Sequence, residues 1–499
     1  MTETTLPDWL ARRASIAPEA PALIAGETRW SFAALDAQAS AAARRLAALG
    51  LRPGDRVAVL MRNTPLFVAL VHAAPRLGVT LVLQNTRLAA PELVWQLNDA
   101  GAEALIYDPA FTALAEAIGQ QLPQLVRCDA DAFAALAEAP AALREHIRLD
   151  NIHTIIYTSG TTGQPKGAML AYASHWWSAI GSALNLGLRD DDRWVAVLPF
   201  FHVGGLAILM RCAIYGIATV LPSSNSADDI ALAIERERGT IISVVSTLLQ
   251  RMVEGRPPPT WLRCVLLGGG PAPRQLLERC AALGIPAIQS YGMTETASQV
   301  VTLAFADALR KLGSSGKPLL PNQIRIEAER KEARPGEIGE ILISGPSLMR
   351  GYINRPDATA SALRDGWLHS GDLGYLDDEG FLFVIDRRSD LIISGGENIY
   401  PAQIEAVLRQ HPAVAEAAVV AMPDPRWGQV PAAFVVLRQG AALDPQALAE
   451  FCAQHLARYK LPRQFLALPE LPRNAGGKVV RAQLRQLLAD AQGDTGPLL

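Results

Sequence analysis

Residues 157–167 read Tyr-Thr-Ser-Gly-Thr-Thr-Gly-Gln-Pro-Lys-Gly. The segment begins at the end of an apolar run, residues 153–158, that is typical of a β-strand. Six consecutive positions, 158–163, are Thr, Ser or Gly. The pattern GxxxxGK[ST] is not matched anywhere along the segment, so it is not the phosphate loop of P-loop nucleotidases. The chain is therefore constrained to a strand followed by a glycine-rich loop of another kind.

This segment predicts a phosphate-binding loop. A loop rich in Gly, Ser and Thr can turn its backbone N–H groups and hydroxyls inward around phosphate oxygens, and a lysine adds a positive charge. The alternative interpretation is a flexible surface turn, which is the usual role of such a loop. The candidate residues are Thr158, Ser159, Gly160, Thr161, Thr162, Gly163 and Lys166.

Helical and strand-like patterns alternate along much of the chain. Over residues 31–108 apolar helical patterns alternate with short β-rich runs, which is typical of a layered α/β sheet. Residues 111–150 are Ala-rich and are expected to form a helical scaffold, and beyond Gly313 short strands and turns predict a β subdomain. The predicted fold class is α/β: layered sheets and a β subdomain over residues 1–387, then a small α+β domain over 388–499.

The composition is that of a folded globular protein. Of 499 residues, 50% are hydrophobic and 19% are charged, so the chain is long enough for several domains and too apolar to be disordered. Lys plus Arg number 46 and Asp plus Glu number 49, for a net charge of −3. This balance disfavours nucleic acid and anionic membranes as partners. We expect small-molecule partners, and the sequence is compatible with a homo-oligomer.

The cysteines and the N-terminal segment bear on the compartment. The five cysteines are scattered without CxxC spacing, which predicts neither a disulfide framework nor a structural zinc site. The first residues have neither the basic region nor the apolar core of a signal peptide, so we expect a cytoplasmic protein. Apolar stretches at 67–83 and 203–221 are interrupted by charged residues, and neither predicts a membrane span.

Five further motifs follow the glycine-rich loop in order. They are LGGGP at 267–271, YGMTE at 291–295, HSGDLG at 369–374, DRRSDLIISGGENIYP at 386–401 and RNAGGK at 473–478. With the first segment, they resemble the adenylate-forming enzymes: acyl-CoA synthetases, luciferases and peptide-synthetase adenylation domains. The resemblance covers essentially the whole chain. It implies an AMP-binding domain over 1–387 and a mobile C-terminal domain over 388–499.

The chemistry of such an enzyme explains the residue types in these motifs. A carboxylate is a poor electrophile, so an enzyme that makes thioesters first attaches AMP as a leaving group. Attack on the α-phosphate of ATP brings anions together, which requires backbone donors, a metal and a lysine. The resemblance implies that Glu295 binds Mg²⁺ and that Thr294 contacts the α-phosphate, whereas a lone glutamate is otherwise usually solvated. By the same resemblance Tyr291 stacks on adenine, unless it is a core tyrosine, and the backbone of Gly268, Gly269 and Gly270 lines the ring. Gly292 is a further candidate for binding ATP and AMP.

Other implied roles lie further along the chain. Asp372 and Arg387 match the two ribose-binding positions, although alone Asp372 would be a turn residue. His202 resembles the histidine that borders the acyl pocket, the alternative being a core histidine. Lys478 matches the lysine that bridges the carboxylate and the α-phosphate, where a lysine so near the C-terminus is usually only solvated. Asn474 and Ala475 stand near the start of that motif, where the family usually has Thr.

The segment 386–401 implies a hinge and a CoA site. The resemblance places the hinge at Ser389 and its neighbour Asp390, although the pivot is more often Asp or Lys. The Gly-rich loop with Gly395, Gly396 and Glu397 lets backbone approach a narrow ligand, and in the CoA ligases it lines the pantetheine channel. The resemblance therefore favours CoA as co-substrate over luciferin chemistry.

Three segments, 175–188, 204–216 and 290–303, resemble one branch of the acid–CoA ligases, whose substrate is an aromatic dianion. One carboxylate is activated, and the ring carboxylate must be paired in an otherwise apolar pocket. The candidate partners are Arg211, Ser243, Thr247, Ser298 and Gln299. For Arg211 the alternative is an arginine that reaches solvent from an apolar helix.

Two other functions are weighed against this one. A medium-chain fatty or aryl acid–CoA ligase would act on monoanions. A catalytically dead scaffold protein is disfavoured because the residues that carry the chemistry are all present, namely Lys166, Glu295, Asp372, Arg387 and Lys478.

Overall fold

The computed structural model describes residues 4–159, 164–256, 258–270, 272, 274–387, 391–472 and 479–493. Its strands up to residue 221 are β1 (Thr5–Pro7), β2 (Pro21–Ala25), β3 (Thr28–Ser31), β4 (Arg56–Leu60), β5 (Thr80–Leu83), β6 (Ala104–Tyr107), β7 (Val126–Asp129), β8 (His146–Arg148), β9 (Ile152–Ser159), β10 (Pro165–Ala171), β11 (Arg193–Val195) and β12 (Ala218–Leu221). Those that follow are β13 (Ile241–Val244), β14 (Cys264–Leu267), β15 (Ala287–Met293), β16 (Ser298–Thr302), β17 (Lys317–Pro318), β18 (Gln323–Ala328), β19 (Lys331–Glu332), β20 (Gly339–Ser344), β21 (Leu363–Arg364), β22 (Trp367–Leu376), β23 (Leu382–Arg387), β24 (Ile392–Ser394), β25 (Glu397–Ile399), β26 (Val414–Asp424), β27 (Gly428–Leu437) and β28 (Gln464–Ala467).

Helices alternate with these strands. They are α1 (Trp9–Ile16), α2 (Phe32–Ala48), α3 (Pro65–Leu77), α4 (Ala90–Ala100), α5 (Thr112–Gln121), α6 (Ala130–Ala135), α7 (Tyr172–Leu186), α8 (Val203–Tyr215), α9 (Ala227–Arg236), α10 (Ser246–Glu254), α11 (Arg274–Ala282), α12 (Pro356–Ala362), α13 (Pro401–Leu408), α14 (Pro445–His455) and α15 (Arg481–Gly493). Local chemistry sets several starts, because side-chain oxygens of Asp8, Ser31 and Thr64 accept hydrogen bonds from the first turns of α1, α2 and α3. No helix in the described part of the chain is long and apolar enough to cross a membrane.

The chain divides into two compact units. The first comprises residues 1–86, 97–157 and 167–385, and the second comprises 87–96, 158–166 and 386–499. The division near residue 386 falls beside the expected domain boundary at 387, while the two short internal segments join the C-terminal unit.

The first unit holds two large sheets. One has the strand order β10-β9-β5-β4-β6-β7, and its pairs from β9 to β7 are parallel. The other runs β17-β16-β15-β14-β13-β11-β12-β2-β3, parallel from β15 to β2 and antiparallel at its ends. Their central strands are buried on both faces, which explains the unbroken apolar runs of 57–60 and 264–267. This confirms the layered α/β prediction.

Smaller sheets complete both units. In the first unit, β19-β18-β20-β22-β21 form an antiparallel sheet, with β23 beside β22, where short strands predicted a β subdomain. In the second, β25-β24-β27-β26 are antiparallel and β28 adds in parallel to β27. Residues 111–150 are only partly helical, because β7 pairs with β6 at the edge of its sheet. All five cysteines are free and buried: Cys128, Cys212, Cys264, Cys280 and Cys452.

Candidate active site

The motif YGMTE lies at the end of β15, beside the β subdomain. The buried hydroxyl of Tyr291 donates to the Asp372 carboxylate at 2.7 Å, although 81 residues separate them. One residue earlier, the Ser290 hydroxyl donates to the carbonyl of Leu267 at 2.7 Å, which ties β15 to β14. The structure thus brings the candidate adenine and ribose residues into direct contact.

Two glycines of the motifs occupy places that suit no other residue. Gly292 lies at a bulge between β15 and β16, where a Cβ would come within 2.0 Å of the carbonyl oxygen of Ser298. Gly269 follows β14 with a φ of +79°, in the left-handed region that favours glycine. Its neighbour Gly268 donates its N–H to the carbonyl of Val244 at 3.1 Å, and Gly270 follows close behind the end of β14. Side-chain-free backbone is therefore presented at the carboxyl ends of β14 and β15, which is where ligands bind in open α/β sheets.

The turn after β15 carries Thr294 and Glu295. The Thr296 side chain stabilises this turn. Its hydroxyl oxygen accepts a hydrogen bond from the Met293 N–H at 3.0 Å and lies 2.7 Å from the carbonyl oxygen of Ser298. Ala297 and Ser298 then have φ values of 52° and 97°. Positive φ is uncommon and strained for non-glycine residues, so this turn is held in its shape by its surroundings.

Glu295 is a buried carboxylate. The Tyr352 hydroxyl donates to its Oε1 at 2.8 Å, and its main-chain carbonyl accepts from the Met349 N–H at 2.8 Å. No group of three or more His, Cys, Asp and Glu side chains among the described residues could hold a metal by itself. One carboxylate is compatible with Mg²⁺, which is commonly held by one or two carboxylates plus phosphate oxygens and water.

Arg211 lies in the middle of α8 and is only 2% exposed. Its Nη2 donates to the Ser178 hydroxyl at 3.3 Å, and the guanidinium carbon lies 5.6 Å from the centre of the Trp194 ring. Its Nε is buried without a hydrogen-bond partner, and no carboxylate of the described residues forms an ion pair with it. Burial lowers the pKa of this guanidinium. The snorkelling alternative is therefore wrong, since the side chain stays inside.

The His175 imidazole lies close enough to Arg211 for the guanidinium charge to disfavour its protonation. Burial, followed by the charges of His153 and Arg211, holds the pKa of His175 well below its usual value. Among the residues that the structure covers, no negatively charged side chain therefore compensates the guanidinium. An unpaired buried charge is costly, which points to an anionic ligand.

Two serines of α7 connect this region to β16. The Ser178 hydroxyl donates to the carbonyl of Ala297 at 2.8 Å, and Gln299 Nε2 donates to the Ser182 hydroxyl at 3.1 Å. Neither serine was predicted from the sequence. Their signal was the spacing of Ser174, Ser178 and Ser182, every fourth residue of an apolar helix and hence on one face.

The remaining substrate candidates are placed less closely together. Trp194 Nε1 donates to the buried Ser243 hydroxyl at 3.1 Å, which brings Ser243 to the ring that Arg211 faces. Thr247 lies half-buried on α10 and makes no side-chain hydrogen bond to the other candidates among the described residues. His202 is the half-buried residue immediately before α8, with its ring centre 4.7 Å from that of Phe201.

The second unit holds the candidate CoA loop. Gly395 and Gly396 have φ values of 55° and 87°, and a Cβ on Gly395 would lie 2.6 Å from the Trp427 ring. Glu397 is buried, with its carboxylate 3.3 Å from Arg87 Nη1. Within the same unit, the Thr158 hydroxyl donates to the carbonyl of Lys166 at 3.4 Å. Arg87 was not predicted from the sequence, because it lies far from Glu397 along the chain and no local motif links the two residues.

Several candidates lie outside the described residues: Gly160, Thr161, Thr162, Gly163, Ser389, Asp390 and Lys478. The structure gives only the backbone of Ser159 and Arg387, which close β9 and β23.

Comparison with known proteins identifies relatives along nearly the whole chain. Residues 10–353 match the AMP-binding enzyme family, and residues 403–478 match the AMP-binding enzyme C-terminal domain. A 2-succinylbenzoate–CoA ligase of Geobacillus sp. (strain WCH70) is 49% identical over 490 residues, covering 97% of this chain and 98% of that protein.

Solved structures of one Bacillus subtilis protein, o-succinylbenzoate CoA synthetase (MenE), are also similar. A double mutant bound with its product analogue OSB-NCoA has a TM-score of 0.93, with 45% identity over 97% of this chain and 98% of that chain. The complex with the acyl-adenylate intermediate OSB-AMP gives 0.76, with the same identity and coverage. The complex with ATP and a magnesium ion gives 0.75, with 45% identity over 97% of this chain and 100% of that chain.

Proposed function

This chain belongs to the AMP-binding enzymes, among the 2-succinylbenzoate–CoA ligases, and from this premise we propose which of its residues perform each step. The enzyme joins 2-succinylbenzoate to CoA with ATP and Mg²⁺. It proceeds through an acyl-adenylate and releases AMP and pyrophosphate. The MenE name assigns this reaction to menaquinone biosynthesis.

The reaction has two covalent steps. In the first, an oxygen of the succinyl carboxylate attacks the α-phosphorus of ATP, and the bond to pyrophosphate breaks. In the second, the CoA sulfur attacks the acyl carbon, AMP leaves with its electron pair, and the thiol proton passes to solvent. Both steps gather negative charge, so catalysis rests on placing donors and cations around it.

The phosphate end of the site is assigned to the glycine-rich loop and the turn after β15. Backbone N–H groups and hydroxyls of residues 158–163 and the Lys166 ammonium contact the β- and γ-phosphates, and Thr294 contacts the α-phosphate. Glu295 would hold Mg²⁺, and the ion would neutralise phosphate charge when bound. The Tyr352 hydroxyl on Glu295 supports this, because its hydrogen bond to Oε1 fixes the orientation of the carboxylate.

The nucleoside end is assigned to Tyr291 and Asp372. The Tyr291 ring stacks on adenine against the backbone of 268–270, and the Asp372 and Arg387 side chains hold the ribose hydroxyls. The hydrogen bond between Tyr291 and Asp372 supports the assignment, because one contact orients both groups.

The observation that carries the substrate assignment is the buried, uncompensated charge of Arg211. The ring carboxylate of 2-succinylbenzoate is the anion that such a guanidinium requires, and a monoanionic fatty acid would leave it unpaired. Ser243, Ser298 and Gln299 add polar contacts near this carboxylate. Thr247 is assigned to the pocket wall, and His202 to the succinyl carboxylate.

The second step is assigned to the C-terminal domain, residues 388–499. Lys478 bridges the attacking carboxylate and the α-phosphate in the first step, and Gly395, Gly396 and Glu397 line the path of pantetheine in the second. Since both cannot occupy one face of the adenylate, the domain turns about Ser389 and Asp390 between the steps. We assign the enzyme to the cytoplasm, where ATP and CoA are available and where the five free thiols stay reduced.

The test is mass spectrometry of the CoA products after the enzyme is mixed with ATP, Mg²⁺, CoA and a panel of acids. We expect far more thioester from 2-succinylbenzoate than from benzoate, octanoate or acetate. Equal or better turnover of octanoate would instead establish a medium-chain acid–CoA ligase. Pyrophosphate release on addition of the acid excludes a catalytically dead scaffold.

A further inference from the structure

One hydroxyl on α7 links Arg211 to the turn that carries Thr294 and Glu295. The Ser178 side chain is 2% exposed and makes two hydrogen bonds, to the carbonyl of Ala297 at 2.8 Å and from Arg211 Nη2 at 3.3 Å. A serine hydroxyl has one proton, and a carbonyl can only accept, so this proton goes to Ala297. Arg211 must then be the donor in the second bond, and both bonds have a fixed direction.

The segment that Ser178 holds is strained. Ala297 and Ser298 both have positive φ, which costs of order 1 kcal/mol or more for each residue and persists only where the surroundings impose it. Besides Ser178, the Thr296 hydroxyl contacts the carbonyl of Ser298 at 2.7 Å. The shape of the turn therefore depends on a small number of side-chain bonds, and one of them leads to Arg211.

We propose that Ser178 is a positioning residue that makes adenylation depend on the second carboxylate of the acid; the proposal rests on the assignment of that carboxylate to Arg211. A carboxylate on Arg211 fixes the plane of the guanidinium. The guanidinium then fixes the Ser178 hydroxyl, and the hydroxyl holds the carbonyl of Ala297. The turn with Thr294 and Glu295 is thereby held more firmly in position for the α-phosphate when the dianion is bound.

This arrangement distinguishes selectivity in binding, which changes KM, from selectivity in turnover, which changes kcat. If Arg211 acted only by binding, the ring carboxylate would lower KM and leave kcat alone. With Ser178 between Arg211 and the turn, the dianion also gains in kcat over an acid of the same length that lacks the ring carboxylate. That acid is 4-oxo-4-phenylbutanoate, so the pair isolates the contribution of one charge.

The chain provides a matched control on the same helix. Ser182 lies one turn after Ser178, is fully buried, and accepts a hydrogen bond from Gln299 on β16, two residues beyond Ala297. Among the described contacts it has none with Arg211. Loss of the Ser182 hydroxyl therefore reports on the general effect of weakening the α7–β16 contact.

The experiment measures ATP–pyrophosphate exchange, which follows adenylation alone, with both acids in the full-length enzyme. We expect Ser178→Ala to lower kcat for 2-succinylbenzoate about tenfold, the size of a lost hydrogen bond to a charged group, and to abolish its kcat advantage over 4-oxo-4-phenylbutanoate. Ser182→Ala loosens Gln299, which we place near the ring carboxylate, so it should change KM for the dianion while the ratio of kcat for the two acids keeps its wild-type value. For the double variant Ser178→Ala/Arg211→Ala, the ratio of kcat for the two acids should equal that of Arg211→Ala alone, because Arg211 acts on the turn through Ser178.

The outcomes distinguish this proposal from the assignment of Arg211. If Arg211→Ala weakens only the dianion while Ser178→Ala keeps the wild-type kcat ratio, the positioning role is wrong and the carboxylate site stands. If Arg211→Ala weakens both acids alike, the carboxylate site is wrong and the Ser178 proposal with it. Should Ser178→Ala melt at a lower temperature, Ser178→Thr keeps the hydroxyl, and recovery of the kcat ratio there supports the proposal whereas its absence overturns it.

Discussion

The Tyr291 hydroxyl donates a 2.7 Å hydrogen bond to the Asp372 carboxylate, and both side chains are buried. The residues lie on β15 and β22, in different sheets of the first unit. The contact therefore fixes the distance between a parallel sheet edge and the β subdomain at the point where we place the nucleoside.

Substitutions at this pair should affect ATP more than the acid. We expect Asp372→Ala to raise KM for ATP about 10–100-fold, since a carboxylate that binds two ribose hydroxyls contributes charged hydrogen bonds. Tyr291→Phe keeps the ring and should cost severalfold, whereas Tyr291→Ala also loses stacking worth about 1–3 kcal/mol. Steady-state kinetics with ATP and acid varied in turn provide the measurement. Unchanged KM for ATP in all three variants would contradict the nucleoside assignment.

Arg211→Ala should raise KM for 2-succinylbenzoate by tenfold or more, because the ring carboxylate loses its partner in an apolar surrounding. For 4-oxo-4-phenylbutanoate the same variant should have unchanged or lower KM, since that acid leaves the charge unpaired in the wild type. Arg211→Lys is the control that keeps the charge without the planar fork. Equal loss for both acids would mean that the arginine is structural.

The assignment of the C-terminal domain predicts opposite defects in the two half-reactions. Lys478→Ala should lose most adenylation but still convert preformed acyl-AMP and CoA to thioester. Ser389→Pro, which fixes φ at the proposed pivot, should form acyl-AMP and slow the thioester step. Single-turnover assays of each step measure this directly. Equal damage to both steps by Lys478→Ala would refute the exchange of the lysine and the CoA loop.

Buried histidines predict acid sensitivity of the first unit. Burial lowers the pKa of His72 and of His153 from 6.5 to about 3, with a further contribution from nearby Arg76 at His72. The native histidines thus stay neutral while the unfolded chain binds protons below pH 6.5, so stability is full above pH 6.5 and falls toward pH 3. From pH 6.5 to 5 each group should cost about 2 kcal/mol. Urea unfolding of wild type and His72→Leu measures the difference, and parallel pH profiles would contradict it.

A buried ion pair holds the C-terminal end of α7. Burial alone would raise the pKa of Asp192, yet hydrogen bonds from Arg263 and Thr240 hold it below its usual value. The Arg263 guanidinium also donates to the carbonyls of Leu186 and Gly187. Arg263→Met should cost about 3–5 kcal/mol because it leaves a buried carboxylate unpaired. Arg274→Ala, which breaks an exposed pair with Glu278, should cost less than about 1 kcal/mol in the same thermal melt.

The parts of the molecule that follow from local sequence were predictable. The α/β alternation was read from apolar periodicity, and the motif residues at the ends of β14 and β15 lie together because parallel strands end at one sheet edge. Residues 126–129 form a strand within an Ala-rich stretch because they pair with β6, and no local pattern reports that pairing.

The contacts that complete the site come from distant residues. Tyr352 reaches Glu295 across 57 positions, and Ser178 reaches Ala297 across 119. A role for a serine inside an apolar helix cannot be assigned until its hydrogen-bond partner is known. The sequence therefore indicated Arg211 as a candidate but not Ser178, through which Arg211 contacts the turn. The sequence also left the burial of Arg211 undecided, because an arginine can either reach solvent or stay inside.

The five buried cysteines have a practical consequence for the assays in which CoA is consumed. Burial raises the pKa of Cys212, Cys264 and Cys452 to about 12 and that of Cys280 to about 11, and that of Cys128 is raised as well. Protonated, covered thiols react poorly with disulfide reagents. The thiols of the folded enzyme should therefore not react with 5,5′-dithiobis(2-nitrobenzoate). This reagent can then measure the consumption of free CoA in quenched samples at native pH. A rise in protein thiol signal would then report unfolding of the variant under study.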